Sequence, residues 1–248
     1  MITFHVLTLF ADVITSYCSA SIIGRGIKAG KIVVKTYNPY DFCTDRYRKV
    51  DDTPYGGGPG MVLKPEPIFE AFSSIERAQE SPVIIMSPQG KPFSHKRAVE
   101  LSRESEITLL CGHYEGFDER IRTLATEELS IGDYVVTGGE LPALVVIDAV
   151  GRLVPGVVGK HASVLSESFS DGLLEGPVYT KPPLFRDMEV PEIVRSGDHK
   201  AIARWRRQEA LRRTFECRPD LLPGCELSED DKKFLRQLQE GLEGNNAD

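Results

Sequence analysis

The apolar positions of this chain fall into short runs whose spacing alternates between two periods. Ile2 to Phe10, rich in β-branched and aromatic residues, predicts a buried first strand. Ile32 to Tyr37, with two valines, predicts a second. Pro65 to Ile75 sets Ile68, Phe69, Phe72 and Ile75 at helical spacing. Val83 to Met86 predicts a short buried strand that ends in the turn Ser87-Pro88-Gln89-Gly90, and Ser94 is placed to cap a helix reaching about Arg103. Ile107 to Cys111 predicts the next strand and Asp118 to Ala125 a short helix. Glu127 to Val136 holds a strand, and Gly139 to Leu153 reads as an apolar helix. Strands alternating with helices predict an α/β domain with a largely parallel sheet covered on both faces.

The periodicity stops at Pro155. Glycines, prolines and serines from there to Pro183 predict a flexible linker, of a length that is usually functional. Residues 1–159 are therefore expected to form one domain, 160–183 the linker and 184–248 a small, mostly helical domain. In the last of these, His199 to Glu216 predicts an amphipathic helix with Ile202, Trp205 and Leu211 on its apolar side. Ser228 and Asp231 have capping-box spacing for a final helix ending near Leu242, and Glu243 to Asp248 is expected to fray.

Composition narrows the classes. With 41% hydrophobic and 27% charged residues, the 248-residue chain is that of an ordinary globular protein. The net charge of −7 does not advertise a nucleic-acid binder in bulk. The cationic charge is segregated, however: Lys200, Arg204, Arg206, Arg207, Arg212, Arg213 and Arg218 face only Glu209 and Glu216 in the same stretch. Such a helix is either a solvated face or a set of phosphate contacts. Five cysteines without CxxC spacing argue for a reducing compartment, and the N-terminus lacks a basic leader, so a cytoplasmic location is expected. Leu141 to Gly159 is broken by Asp148, Arg152 and Pro155 and is a poor membrane span.

Candidate chemistry gathers at two glycine turns. Cys111-Gly112-His113-Tyr114-Glu115-Gly116 closes one strand, and Ile131-Gly132-Asp133-Tyr134-Val135-Val136 leads into Thr137-Gly138-Gly139-Glu140. A strand that ends in glycine lets backbone approach a ligand, and in open α/β sheets ligands bind at that edge. In Tyr47 to Met61, Pro54, three consecutive glycines, Pro59 and Gly60 are expected to exclude regular structure; the stretch lacks the Gly-Lys-Ser/Thr ending of a P-loop and is read as a turn. No two of the five histidines lie three to five apart, which disfavours a zinc site. No serine sits in G-x-S-x-G, and Cys111 at a strand end is expected to be inert. Arg152 near a helix C-terminus suits the macrodipole, and Glu167 and Asp171 by themselves are linker acids.

Taken together these segments resemble one family, the bacterial tRNA (guanine-37-N1)-methyltransferases of the knotted SPOUT class. The carrying motifs are VDDTPYGGGPGM (Val50 to Met61), MSPQG (Met86 to Gly90), LLCGHYEGFDERI (Leu109 to Ile121), SIGDYVVTGGELPAL (Ser130 to Leu144), RLVPGVVG (Arg152 to Gly159), GLLEGPVYTKP (Gly172 to Pro182) and GDHKAIARWRRQEALRRT. They run from the first strand to about Leu222 in the family's order. The resemblance implies a SPOUT-type parallel sheet with a deep trefoil knot, one of the rare exceptions to unknotted topology. It implies that S-adenosylmethionine sits in the knot, held mainly by main chain at Ser87, Pro88, Gly112, Glu115, Ile131, Gly132, Asp133, Tyr134, Val135, Val136, Gly138 and Gly139. It implies a homodimer with active sites at the subunit interface, tRNA as substrate, and Lys200, Arg204, Arg206, Arg207, Arg212 and Arg213 as the basic surface for it. The family suggests Mg2+; no metal ligand can be assigned.

The implied reaction needs two groups from the protein. Guanine N1 carries a proton and is a poor nucleophile until a carboxylate removes it. Negative charge then develops on O6, where a guanidinium can stabilise it. Arg152 matches the family's arginine for that role. The family's base is an aspartate in a D-S-F context, and the matching residue here is Glu167, in Glu167-Ser168-Phe169, with Asp171 as the alternative. Glutamate keeps the carboxylate and a similar reference pKa but adds a methylene. Two other readings stand beside this one: a tRNA-binding homologue that lost its chemistry through that change, and a methyltransferase acting on ribose 2′-oxygen. The intact glycines at 112, 132, 138 and 139 argue against the first, and the basic helix with YTKP argues against the second.

Overall fold

The computed structural model describes residues 1–44, 46–159 and 167–245. Residue 45, residues 160–166 (the first part of the expected linker, with His161 and Ser166) and residues 246–248 of the tail lie outside the described residues. The chain divides into two compact units, Met1–Gly159 and Lys160–Asp248.

The first unit is built on a five-stranded sheet. Its strands are β1 (Ile2–Leu7), β2 (Ile32–Tyr37), β5 (Val83–Pro92), β6 (Glu106–Cys111) and β7 (Glu127–Ser130), in the order β2-β1-β6-β5-β7. Every pairing in it is parallel. The inner strands β1, β6 and the first part of β5 are largely apolar because a parallel sheet is covered on both faces, whereas the edge strand β7 is Glu127-Glu128-Leu129-Ser130. Alternate residues serve opposite layers. Phe4, Val6, Ile84, Met86, Leu109 and Cys111 pack on one face beneath α1 (Ala11–Cys18), α2 (Ser21–Lys28), α4 (His95–Leu101) and α5 (Glu140–Gly151). Leu7, Val83, Ile85 and Leu110 pack on the other with α3 (Pro65–Ser73) and a 3-10 turn at Glu119–Leu124.

The alternation expected of an α/β domain is thus present, with local differences. Residues 11–28, to which the hydrophobic spacing assigns no element, form two eight-residue helices. The first strand stops at Leu7, because the Thr8 hydroxyl accepts the amide of Phe10 and turns the chain. The β5 strand does not end at Met86. It continues to Pro92 through a register shift between Met86 and Lys91, so Ser87 to Gly90 is an irregularity within a strand. Gly90 permits it, since a β-carbon there would lie 2.5 Å from the carbonyl carbon of Glu128 on β7. The β7 strand ends at Ser130, whose hydroxyl exchanges hydrogen bonds with both the amide and the carbonyl of Gly132. Tyr47 to Met61 is not wholly irregular as expected: Asp51–Asp52 forms β3, paired antiparallel with β4 (Val62–Leu63), and only the run between them, Tyr55 to Gly60, is a turn. Its glycines at 56, 57, 58 and 60 all take positive φ.

The second unit is mostly helical. A small hairpin, β8 (Leu184–Phe185) with β9 (Met188–Glu189), precedes α6 (Glu192–Arg195), α7 (His199–Cys217) and α8 (Glu229–Asn245). Asp198 caps α7 by accepting the amides of Lys200 and Ala201. The Ser228–Asp231 capping box forms in both directions. On α7 Ile202 and Leu211 are buried as expected, while Trp205 is half-buried with Tyr179 6.3 Å away, ring to ring. From Glu167 onward the described part of the expected linker lies against α7. Leu173 is fully buried and the Leu174 amide donates to Thr214 Oγ1 at 2.9 Å.

Candidate active site

The C-terminal ends of β5, β6 and β7 meet at a cleft of about 260 Å³ in the first unit. Three segments make its walls: the irregular stretch of β5, the turn after β6, and residues 131–139 after β7. Backbone binds these segments together. The Gly139 amide donates to the Gly112 carbonyl at 2.8 Å, and His113 and Gly138 form an isolated antiparallel bridge. The Glu115 amide donates to the Met61 carbonyl at 3.0 Å, which ties the glycine-rich hairpin to the same turn. Glycine is required at 139, where a β-carbon would lie 2.6 Å from Cys111 Cα; at Gly138 a β-carbon would lie 2.3 Å from the side-chain oxygen Oε2 of Glu140.

Of the twelve residues expected to hold the donor, Ser87, Pro88, Gly112, Glu115, Ile131, Gly132, Tyr134, Val135, Val136, Gly138 and Gly139 line this cleft. Asp133 does not; it is exposed.

The cleft also uses residues that sequence reasoning left without a role. His113 lines it with Nδ1 buried and unpartnered. Arg122 reaches the rim from the 3-10 turn, donating to Gln89 Oε1 at 2.9 Å and pairing with Glu119 and Glu128. Beyond the i,i+3 pair with Glu119, no local spacing announces Arg122, since its other partners, Gln89 and Glu128, lie on β5 and β7. Glu140, at the start of α5, is buried and accepts a 2.7 Å hydrogen bond from Thr8 Oγ1. Its carboxylate lies where the helix macrodipole favours negative charge. Burial pushes the Cys111 thiol well above its ordinary range, with the Glu140 charge adding to the effect, so Cys111 is no nucleophile. A hydrogen bond to Tyr40 raises the Tyr114 phenol to about 12, so it stays protonated.

The remaining candidates are placed as follows. Arg152 is the half-buried C-cap residue of α5 in the first unit. Glu167 and Asp171 belong to the second unit, in a loop closed by hydrogen bonds from the Ser170 amide to the Glu167 carbonyl and from the Phe169 amide to the Leu173 carbonyl. Lys200, Arg204 and Arg206 are exposed on α7. Arg212 pairs with Glu209 at 3.4 Å and lies over the Phe234 ring, and Arg213 donates to the Glu175 carbonyl at 2.8 Å. Arg207 differs from the rest in being enclosed by carboxylates: it pairs with Asp171 and Asp231. Among the described residues no group of three or more His, Cys, Asp or Glu is arranged to hold a metal ion. No described helix is long and apolar enough to cross a membrane.

A parallel α/β sheet with a glycine-bearing cleft at the carboxyl ends of its strands is a ligand-binding α/β architecture. Comparison with known proteins identifies which. Residues 2–224 match the family model described as tRNA (Guanine-1)-methyltransferase TrmD, and the chain belongs to that family of SPOUT methyltransferases. It is 52% identical over 234 residues to the tRNA (guanine-N(1)-)-methyltransferase of Caldanaerobacter subterraneus subsp. tengcongensis, covering 94% of this chain and 97% of that one. It is 50% identical over 239 residues to the proteins of the same name from Bacillus cereus and Bacillus anthracis, covering 95% of this chain and 98% of theirs.

Proposed function

We propose that this protein transfers the methyl group of S-adenosylmethionine to N1 of guanine 37 in tRNA, as a cytoplasmic homodimer. The observation that carries the reading is the cleft itself, in a chain that belongs to this family. Its walls are backbone held apart by glycine, and a β-carbon at Gly138 or Gly139 would collide with its neighbours. Such a surface suits adenosine, whose edges are read by amides and carbonyls without charge. The donor supplies an activated methyl group.

The chain's own residues do the rest in this reading. Glu167 removes the N1 proton, and Arg152 stabilises the charge that develops on O6. Residues 1–159 hold the donor, 160–183 connect the two domains and carry the base, and 184–248 bind tRNA through Lys200, Arg204 and Arg206, with Arg212 and Arg213 beside them. Glu167 is preferred to Asp171 as the base because it stands, in Glu167-Ser168-Phe169, at the position that matches the family's aspartate. Homodimer formation is supported by an exposed apolar patch on two adjacent helices: Phe10, Val13 and Tyr17 at α1, and Leu141 and Val145 on α5. The reading assigns no site for Mg2+.

The test is transfer of labelled methyl from S-adenosylmethionine to two tRNA transcripts, both with guanine at 36, one with guanine and one with adenine at 37. Label found only in the guanine-37 transcript, and mapped to N1, is the expected result. No incorporation into either, with the donor still bound, would instead describe a tRNA-binding homologue disabled at Glu167.

A further inference from the structure

Arg207 joins three segments of the second unit. On one side its Nη1 donates to Asp171 Oδ2, at the apex of the loop that begins with Glu167. On the other, Nη2 donates to Asp231 Oδ2 at 3.1 Å and Nε to Asp231 Oδ1 at 3.4 Å. Nη2 also reaches the Glu226 carbonyl at 3.3 Å. Asp231 is in turn fixed by the Ser228 amide, which donates to its Oδ2 at 3.0 Å. One planar guanidinium on α7 therefore ties the loop to the start of α8.

The loop is shaped for this attachment. Phe169 and Gly172 take φ of 73° and 88°, which folds residues 167–175 back on themselves. The Glu175 amide donates to Ser168 Oγ at 2.9 Å, and the Leu173 amide to Asp171 Oδ1 at 3.3 Å. A β-carbon at Gly172 would lie 2.8 Å from Cys225 Sγ, so the loop sits close against the segment that precedes α8. Burial alone would push the Asp231 carboxyl up, but the bonds from Arg207 and Ser228 outweigh it and hold it below its ordinary value. It is charged at neutral pH and needs a cation.

Two carboxylates and a carbonyl surround this guanidinium, which leaves it badly placed for an RNA phosphate. We propose that Arg207 is a positioning residue: it clamps the loop bearing Glu167 onto the helical unit and so sets the direction from which that carboxylate meets guanine N1. The inference rests on Glu167 being the base. It also separates Arg207 from its exposed neighbours Arg204 and Arg206, which keep the RNA role. Lysine cannot replace it fully, because a single ammonium lacks the fork that engages both carboxylates at once.

The experiment compares single-turnover methyl transfer at saturating tRNA and S-adenosylmethionine with tRNA affinity at several salt concentrations. It uses the full-length chain carrying Arg207→Gln, Arg207→Lys, Asp171→Asn, the Asp171→Asn/Arg207→Gln pair and Glu167→Gln. Arg207→Gln is expected to lower the single-turnover rate by about tenfold or more, with tRNA Kd within about threefold of the parent and an unchanged salt slope. Adding Asp171→Asn to it should cost little more, since both remove the same contact. Arg207→Lys should recover part of the rate, and it carries the test if the glutamine variant fails to fold. An unchanged rate with weaker tRNA binding, and a salt slope reduced by about one, would make Arg207 a phosphate contact and overturn the clamp. Full activity in Glu167→Gln would overturn the base assignment and the clamp together. An inactive Glu167→Gln beside a fully active Arg207→Gln would overturn the clamp alone.

Discussion

The amide of Gly139 donates to the carbonyl of Gly112 at 2.8 Å, and there is no space for a side chain between them. A β-carbon at Gly139 would meet Cys111 Cα at 2.6 Å and the Gly112 nitrogen at 2.8 Å. Both obstacles are backbone, so neither can rotate away. Gly139→Ala is expected to push the two turns apart and weaken S-adenosylmethionine binding by about tenfold or more, roughly 1.4 kcal/mol. Calorimetric titration of the donor reads this directly. Gly224→Ala, where a β-carbon meets nothing within 4 Å, is the control and should bind as the parent does.

Arg152 lies outside the residues that line the cleft proposed for the donor. Its replacement should therefore separate donor binding from chemistry. Arg152→Ala is expected to lower methyl transfer on the order of 10²–10³-fold, the scale of losing one donor to a developing oxyanion. Donor affinity should stay within about twofold. Equal losses in both would remove it from O6.

The apolar patch on α1 and α5 includes Leu141, 55% exposed, and Val145, 44% exposed. Two large aliphatic side chains four residues apart on one helix suit burial against a partner better than contact with water. Leu141→Glu/Val145→Glu is expected to convert a dimer to a monomer in light scattering after size exclusion and to abolish turnover. A parent chain that is already monomeric at micromolar concentration would refute the homodimer.

His5 is buried between Tyr37 and Glu106. The ionised Glu106 carboxylate can only accept, so Nε2 carries the proton and Nδ1 accepts from the Tyr37 hydroxyl. Burial is the largest influence on His5 and lowers its pKa, although Glu106 acts in the opposite direction. The folded state therefore prefers the neutral ring, while the unfolded chain takes up a proton near about 6.5. The resulting stability is complete above that value and is lost as pH falls through the depressed folded value. Glu106, held low chiefly by the Ala78 amide, adds a second loss at lower pH, below about 4.3. Melting temperature should fall between pH 7 and 5, and His5→Gln should flatten that interval. A parallel fall in the variant would place the acid sensitivity elsewhere.

Much of this was legible in the sequence because it is local. Apolar runs of strand length alternating with helical spacing require a parallel sheet with two covered faces, and Phe4 and Leu7 do face opposite layers. Glycine at 112, 132, 138 and 139 marked the cleft: a β-carbon at Gly139 would meet the backbone of Cys111 and Gly112, and one at the other three would meet the side chains of Phe117, Tyr134, Glu140 and His113. Ser94 and Ser228 marked helix starts because a cap needs only the next three residues.

What the sequence could not determine depends on residues far apart in the chain. Thr8 reaches Glu140 across 132 positions, Arg122 reaches Gln89 across 33, and Arg207 reaches Asp171 across 36. No periodicity records such a pairing, since each side chain alone reads as an ordinary surface or strand-end residue. Only when β5, β6 and β7 are laid side by side do their ends enclose a volume, and only when the loop from Glu167 folds onto α7 does one of seven basic residues become a clamp. The chain's local preferences determined which pieces form. Long-range packing decided which side chains those pieces bring together.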